Sequence, residues 1–142
     1  MKELEAKDVV QTIALALKYC HEIGIAHRDI KTDNVLVGGL CETEDSLSGE
    51  KFQMPDQSSE FLKGRQIMLI DFAFATSCLG GKKVDSYCGT QSYMSPEILR
   101  KEPHCPKKAD VWALGVLTYR LLTGEHPFQG TPRNSNPAVT PQ

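Results

Sequence analysis

The sequence predicts an α+β domain, mainly helical, with short β-hairpins. Three observations predict it. Two long stretches, one early and one late, repeat apolar residues at the helical period. Two short β-prone runs lie between them. Glycine and proline then mark the places where each element must stop.

The first element is a helix from Leu4 to Ile23. Val9, Ile13, Ala16 and Cys20 fall on one stripe, with Val10 and Leu17 beside it. Lys2, Glu3, Glu5, Lys7 and Asp8 keep its start polar. Gly24 is placed to end it, because glycine takes a positive φ at little cost. The next elements are short strands, Asn34-Val35-Leu36-Val37 and Gln66-Ile67-Met68-Leu69-Ile70. Gly64 and Asp71 bound the second too tightly for a helix. The last element is a helix from about Lys107 to Leu122. Val111, Trp112, Leu114, Val116, Leu117, Leu121 and Leu122 make it apolar on most sides, which predicts burial nearly all round. Gly124 and Pro127 stop it.

The strands are separated by a different kind of sequence. Residues 38–64 hold six acids, two bases and four serines, and read as a solvated acidic insertion. Residues 130–142 carry three prolines with Asn and Ser, and read as a disordered tail. The domain proper is therefore expected over residues 1–129.

Composition narrows the function. The 142 residues carry 16 Lys and Arg against 18 Asp and Glu, a net charge of −2. There is no basic excess to drive nonspecific nucleic-acid binding. No apolar run approaches the roughly 20 residues that span a bilayer, and Met1 to Glu5 lack a signal peptide's apolar core. The five cysteines are widely spaced and form no C-x-x-C, which favours a reducing, intracellular and most simply cytoplasmic setting. Cys20-His21 and His104-Cys105 lack paired ligands at zinc spacing.

Four motifs carry candidate chemistry. His27-Arg28-Asp29-Ile30-Lys31-Thr32-Asp33-Asn34 joins the first helix to the first strand. Asp29 can orient a hydroxyl, Lys31 can neutralise a phosphate, and Asn34 can offer an amide oxygen to Mg²⁺. Read alone, the octapeptide fits equally well a polar turn capped by Asp29 or Asp33. Asp71-Phe72-Ala73 follows the second strand, where a carboxylate is either a metal ligand or an ordinary turn residue. Cys88-Gly89-Thr90-Gln91-Ser92-Tyr93-Met94-Ser95-Pro96-Glu97 is a Gly/Ser/Pro loop before a helical patch. Asp110 opens the late helix, where the helix dipole alone would favour it.

Taken in this order, the motifs are specific. The sequence resembles the C-terminal lobe of eukaryotic protein kinases, whose signatures are H-R-D-L-x-x-x-x-N, D-F-G and A-P-E. The match covers roughly Leu4 to Phe128. Lys31 and the pair Gly89-Thr90 resemble the serine/threonine branch. The resemblance implies a mainly helical lobe truncated at both ends, roughly half of a two-lobed domain.

It also implies roles. Asp29 would be the catalytic base and Lys31 would steady the γ-phosphate of ATP. Asn34 and Asp71 would hold Mg²⁺. His27 and Phe72 would stack within an apolar spine, and Asp110 would tie down the backbone of His27 and Arg28. Thr90 would contact Asp29, and Glu97 would close the activation segment. Arg28 would anchor a phosphate on Ser86, added by an upstream kinase. Protein hydroxyls would be the substrates, with no nucleic-acid or membrane partner.

Departures from the family pattern sharpen the expectation. No G-x-G-x-x-G, N-lobe lysine or partner glutamate occurs, so the isolated chain should bind Mg-ATP very weakly. Glu97 lacks its usual arginine. Ala73 replaces the D-F-G glycine and would be strained if positive φ were required there. Ser95 replaces the A-P-E alanine, a mild change. The insertion lengthens the spacing from Asn34 to Asp71; it could be a docking loop or retained noncoding sequence. The alternative to a catalytic lobe is a noncatalytic kinase-like module that binds partners or substrates. Trp112 is expected in the core, and Lys107-Lys108 at a solvated helix start.

Overall fold

The computed structural model describes residues 1–40 and 65–128. Helix α1 runs Glu3–Glu22, and the Glu5 carboxylate accepts the Lys2 backbone N–H at 3.0 Å. Its buried stripe is Val9, Ile13, Leu17 and Cys20. Ala16, expected on that stripe, is half-buried, and Leu17 takes its place. At the C-terminus Gly24 has φ +81°, and an added Cβ would lie 2.3 Å from Leu79 Cδ2. The left-handed conformation favours glycine there, while the exposed Leu79 side chain could move aside.

Strand β1, Ile25–Ala26, follows at once. Strand β2 is Val35–Leu40, β3 is Arg65–Leu69 and β4 is Thr76–Ser77. The β2–β3 pair is antiparallel, with Val35 opposite Leu69 and Val37 opposite Ile67. An irregularity between Val37 and Leu40 shifts the register, so that Leu40 faces Arg65. The β1–β4 pair is also antiparallel, with Ile25 opposite Ser77. The expected insertion over 38–64 is corrected at its first boundary. Residues 38–40 continue β2, where Leu40 pairs with Arg65 of β3; residues 41–64 lie outside the described residues. The expected tail over 130–142 lies outside them too.

A short helix α2, Pro96–Leu99, precedes helix α3, Pro106–Thr123. Pro106 sits where a missing N–H costs nothing, and Gly124 ends the helix in the left-handed region. The core lies where α1, α3 and β3 meet, with Ile13, Leu117 and Ile67 at its centre. Ile30 and Tyr93 reach into it from the loops on either side.

Helix α3 is not buried all round. Ala109, Ala113, Val116 and Leu117 face the core, while Val111 is 60% and Leu122 48% exposed. Among the described residues α1, β1 and the turn at Gln91–Tyr93 cover its inner face, with Ile67 of β3 and Ile98 of α2 beside them, while Val111 and Leu122 stay open. Trp112 is likewise a surface residue, stacked on Phe128 with ring centroids 5.5 Å apart. No helix among the described residues is long and apolar enough to cross a membrane.

Candidate active site

The site is built around the loop between β1 and β2. Asp110, 1% exposed, enters from the first turns of α3. Its Oδ2 accepts the His27 backbone N–H at 2.9 Å, and its Oδ1 accepts the Arg28 N–H at 2.7 Å. His21 Nε2 donates to the same Oδ2 at 2.8 Å. Lys107 Nζ in turn donates to the His21 carbonyl at 2.6 Å. Lys107 is thus a bridge between helices rather than a solvated start. Neither His21 nor Lys107 was legible as part of the site, because nothing local in sequence links α1 to α3.

This clamp fixes a demanding backbone. Arg28 has φ +68°, a left-handed conformation that costs a non-glycine residue about 1–2 kcal/mol. The turn aims Asp29 inward, where it is only 4% exposed. Asp29 Oδ2 accepts from Lys31 Nζ at 2.7 Å and from Asn34 Nδ2 at 3.2 Å. Its Oδ1 accepts from the Thr90 hydroxyl at 2.7 Å. Burial pushes the Asp29 carboxyl up, but the bonds from Lys31, Thr90 and Asn34 and the Lys31 charge outweigh it. The carboxyl is held below its ordinary value and is ionised at neutral pH. The Asp29 hydrogen bond raises the Lys31 ammonium in return.

Thr90 reaches Asp29 because Gly89 allows the approach. Gly89 has φ +101°, and a Cβ there would lie 2.5 Å from the Arg28 carbonyl oxygen. The sequence displayed this glycine within a motif, but its contact with the loop is visible only in three dimensions.

His27 is fully buried. Its Nδ1 accepts the Asp29 N–H at 3.2 Å, so Nε2 carries the proton and donates to the Ile70 carbonyl at 3.1 Å. The rings of His27 and Phe72 meet edge-on, 4.6 Å apart at 64°, and Phe72 is 46% exposed. The expected stacking is therefore corrected to an edge contact at the surface.

Asn34 and Asp71 come together through the strand pair. The Ile70 N–H donates to the Asn34 carbonyl at 2.9 Å, one step beyond the β2–β3 ladder. Asn34 Nδ2 is committed to the Asp29 carbonyl at 2.8 Å, leaving its amide oxygen for other partners. Asp71 is exposed and takes φ +64° itself. Its Oδ1 accepts the Ala73 N–H at 3.2 Å. Ala73 has no positive φ, so the condition for strain at that position is not met. One carboxylate and one amide oxygen are hard donors that suit Mg²⁺ shared with phosphates. Among the described residues no cluster of three or more His, Cys, Asp or Glu could hold a metal alone.

Arg28 faces the opposite side. Its Nε donates to the Phe74 carbonyl at 2.6 Å and its Nη1 donates to the Ser86 hydroxyl. Glu97 is half-buried and forms no ion pair among the described residues. Ser95 differs from expectation. Its hydroxyl is buried with no hydrogen-bond partner among the described residues, so its replacement of alanine is not mild.

The comparisons agree with this geometry. Residues 1–140 match the protein kinase domain family. Sperm motility kinase 2B of Mus musculus is 33% identical over 128 residues, covering 90% of this chain and 22% of its own length. Sperm motility kinase 3A of Mus musculus is 33% identical over 128 residues, covering 90% of this chain and 21% of its own. A third mouse protein, W of the same sperm motility kinase series, is 36% identical over 131 residues, covering 92% and 21%. The chain thus spans about a fifth of the length of these curated relatives. With residues 1–140 of its 142 matched by the family's domain, the chain belongs to the protein kinase family.

Proposed function

We propose that this chain carries the phosphate-transfer centre of a serine/threonine protein kinase, acting on ATP and on hydroxyls of protein substrates. The observation that carries the reading is the Asp29 carboxylate. It is ionised and buried, with Oδ1 held by Thr90 and Oδ2 by Lys31 and Asn34.

Each residue then has a task. Asp29 accepts a hydrogen bond from the incoming hydroxyl and orients its oxygen for in-line attack. Lys31 offsets charge on the transferring phosphoryl group, and Thr90 helps seat the substrate. The Asn34 amide oxygen and the Asp71 carboxylate would hold Mg²⁺. When bound, that ion supplies charge neutralisation on the nucleotide phosphates. His27 and Asp110 keep the loop rigid, and Phe72 packs against His27. Glu97 closes the activation segment.

Lys31 and Gly89-Thr90 support the serine/threonine assignment. Arg28 at the Ser86 hydroxyl supports regulation by an upstream kinase, because a guanidinium there would pair with a phosphate. The four described cysteines, Cys20, Cys78, Cys88 and Cys105, are free thiols, which supports an intracellular, cytoplasmic location.

The test is phosphate transfer from ATP to protein by the intact protein, followed by phosphoamino-acid analysis. Phosphoserine and phosphothreonine are expected. Asp29→Asn should lower turnover by orders of magnitude, and an unchanged rate overturns the assignment.

A further inference from the structure

A second hydrogen-bond chain reaches the catalytic loop from the far end of α3. Arg120, in its last turn, donates Nη1 to the Tyr93 hydroxyl at 3.2 Å. That hydroxyl lies 3.1 Å from Thr32 Oγ1, and the Thr32 backbone N–H points at it at 3.4 Å. Thr32 Oγ1 lies 3.4 Å from Asp33 Oδ2. The direction is fixed by chemistry. Arginine can only donate and a carboxylate can only accept. Tyr93 therefore accepts from Arg120 and donates to Thr32, which donates to Asp33.

What holds the guanidinium at the head of this chain is His126. Arg120 Nη1 also donates to His126 Nε2. Because Nε2 accepts, the single proton of the neutral ring sits on Nδ1, which is buried and has no partner among the described residues. The same imidazole meets the Tyr93 ring edge-on, with centroids 5.1 Å apart.

We propose that Arg120 and His126 are positioning residues that hold the catalytic loop through Tyr93 and Thr32, and that acid releases this hold. A proton taken up at His126 Nε2 removes the lone pair that Arg120 uses. It also sets an imidazolium against a guanidinium. Arg120 must then turn away, and the Tyr93 hydroxyl loses a donor. Among the described residues the groups facing His126 are Arg120 from α3 and Tyr93 from the Gln91–Tyr93 turn, while Glu125 beside it in the chain is exposed. Burial and the Arg120 charge both lower the His126 pKa from its ordinary value, so the ring is neutral and accepting at neutral pH. The consequence for turnover rests on the phosphotransfer reading above; the coupling itself does not.

The test is an NMR pH titration of the full chain, from about pH 8 to about pH 5, following the His126 ring and the Thr32 amide. The expected result is one shared acid midpoint, below the ordinary histidine value. His126→Gln keeps an acceptor that does not titrate, so the Thr32 shift should be lost. Tyr93→Phe should leave His126 titrating and Thr32 no longer following it. A flat Thr32 amide while wild-type His126 titrates would overturn the proposal. So would the same Thr32 transition persisting in His126→Gln. If a variant does not fold, the wild-type coincidence of midpoints decides. No nucleotide or turnover enters this measurement, so its outcome is separate from that of the kinase assay.

Discussion

Asp110 Oδ1 accepts the Arg28 backbone N–H at 2.7 Å, and Arg28 holds φ +68°. The two facts belong together. A left-handed arginine persists only where surrounding bonds over-determine it, and here one buried carboxylate accepts from both His27 and Arg28. Asp110→Ala leaves the buried His27 N–H and the partly buried Arg28 N–H unpaired, at about 1–3 kcal/mol for a buried group. Denaturant unfolding should therefore show a loss of about 3 kcal/mol or more, with Asp110→Asn in between. A loss below about 0.5 kcal/mol, the range of an ordinary surface substitution, would remove Asp110 from this role.

Gly89 carries the second prediction. A Cβ at this position meets the Arg28 carbonyl oxygen at 2.5 Å, and φ is +101°. Backbone cannot yield as a flexible side chain can. Gly89→Ala should cost about 1–3 kcal/mol through strain and push Thr90 off Asp29. The readout is the Thr90 amide and methyl resonances, which should move. Unchanged resonances and stability would show that the segment adapts freely.

Ser95 gives a prediction of opposite sign. Its hydroxyl is buried without a partner among the described residues, and it makes no side-chain capping bond to α2. Removing it should relieve a desolvation cost of about 1 kcal/mol. Ser95→Ala should raise the thermal midpoint, whereas a serine at a helix start ordinarily loses stability on this change. A lowered midpoint would mean that the hydroxyl has a partner in solution.

These residues show what was legible and what was not. Helices α1 and α3 were readable because their apolar periodicity is local, and so were the two short β-prone runs that became β2 and β3. The polar residues of the Asp29 loop were readable because residue type and spacing lie within eight consecutive positions. His21, Lys107, Arg120 and His126 were not, because their roles depend on partners far away in sequence or on the depth of burial. Helix α3 was misread for a related reason. Apolar sequence on most sides states which faces could be covered, while only packing decides which are. At Ala73 the condition for strain is not met, because the left-handed turn falls on Asp71, two residues earlier.

The last prediction concerns acid. Asp29 is held below its ordinary value because bonds from Lys31, Thr90 and Asn34 outweigh the effect of burial. The unfolded chain lacks these bonds and binds the proton more readily. Between the unfolded and folded pKa values the unfolded state therefore carries more protons, and stability falls as pH drops. The contribution of Asp29 is complete above the ordinary carboxyl range near pH 4 and disappears as pH falls through the folded value. Asp29→Asn, which cannot ionise, should be less stable than wild type at neutral pH. The gap should narrow in acid below that range. Lys31→Met removes the ammonium donor and so raises the folded value, and its acid loss should be smaller and end at a higher pH than in wild type, with the onset, set by the unfolded chain, unchanged. Urea midpoints measured against pH for the three proteins decide the matter. A wild-type to Asp29→Asn gap that does not change with pH would mean that the Asp29 carboxyl is not stabilised in its ionised form. The hydrogen bonds around it would then fix geometry without lowering its pKa.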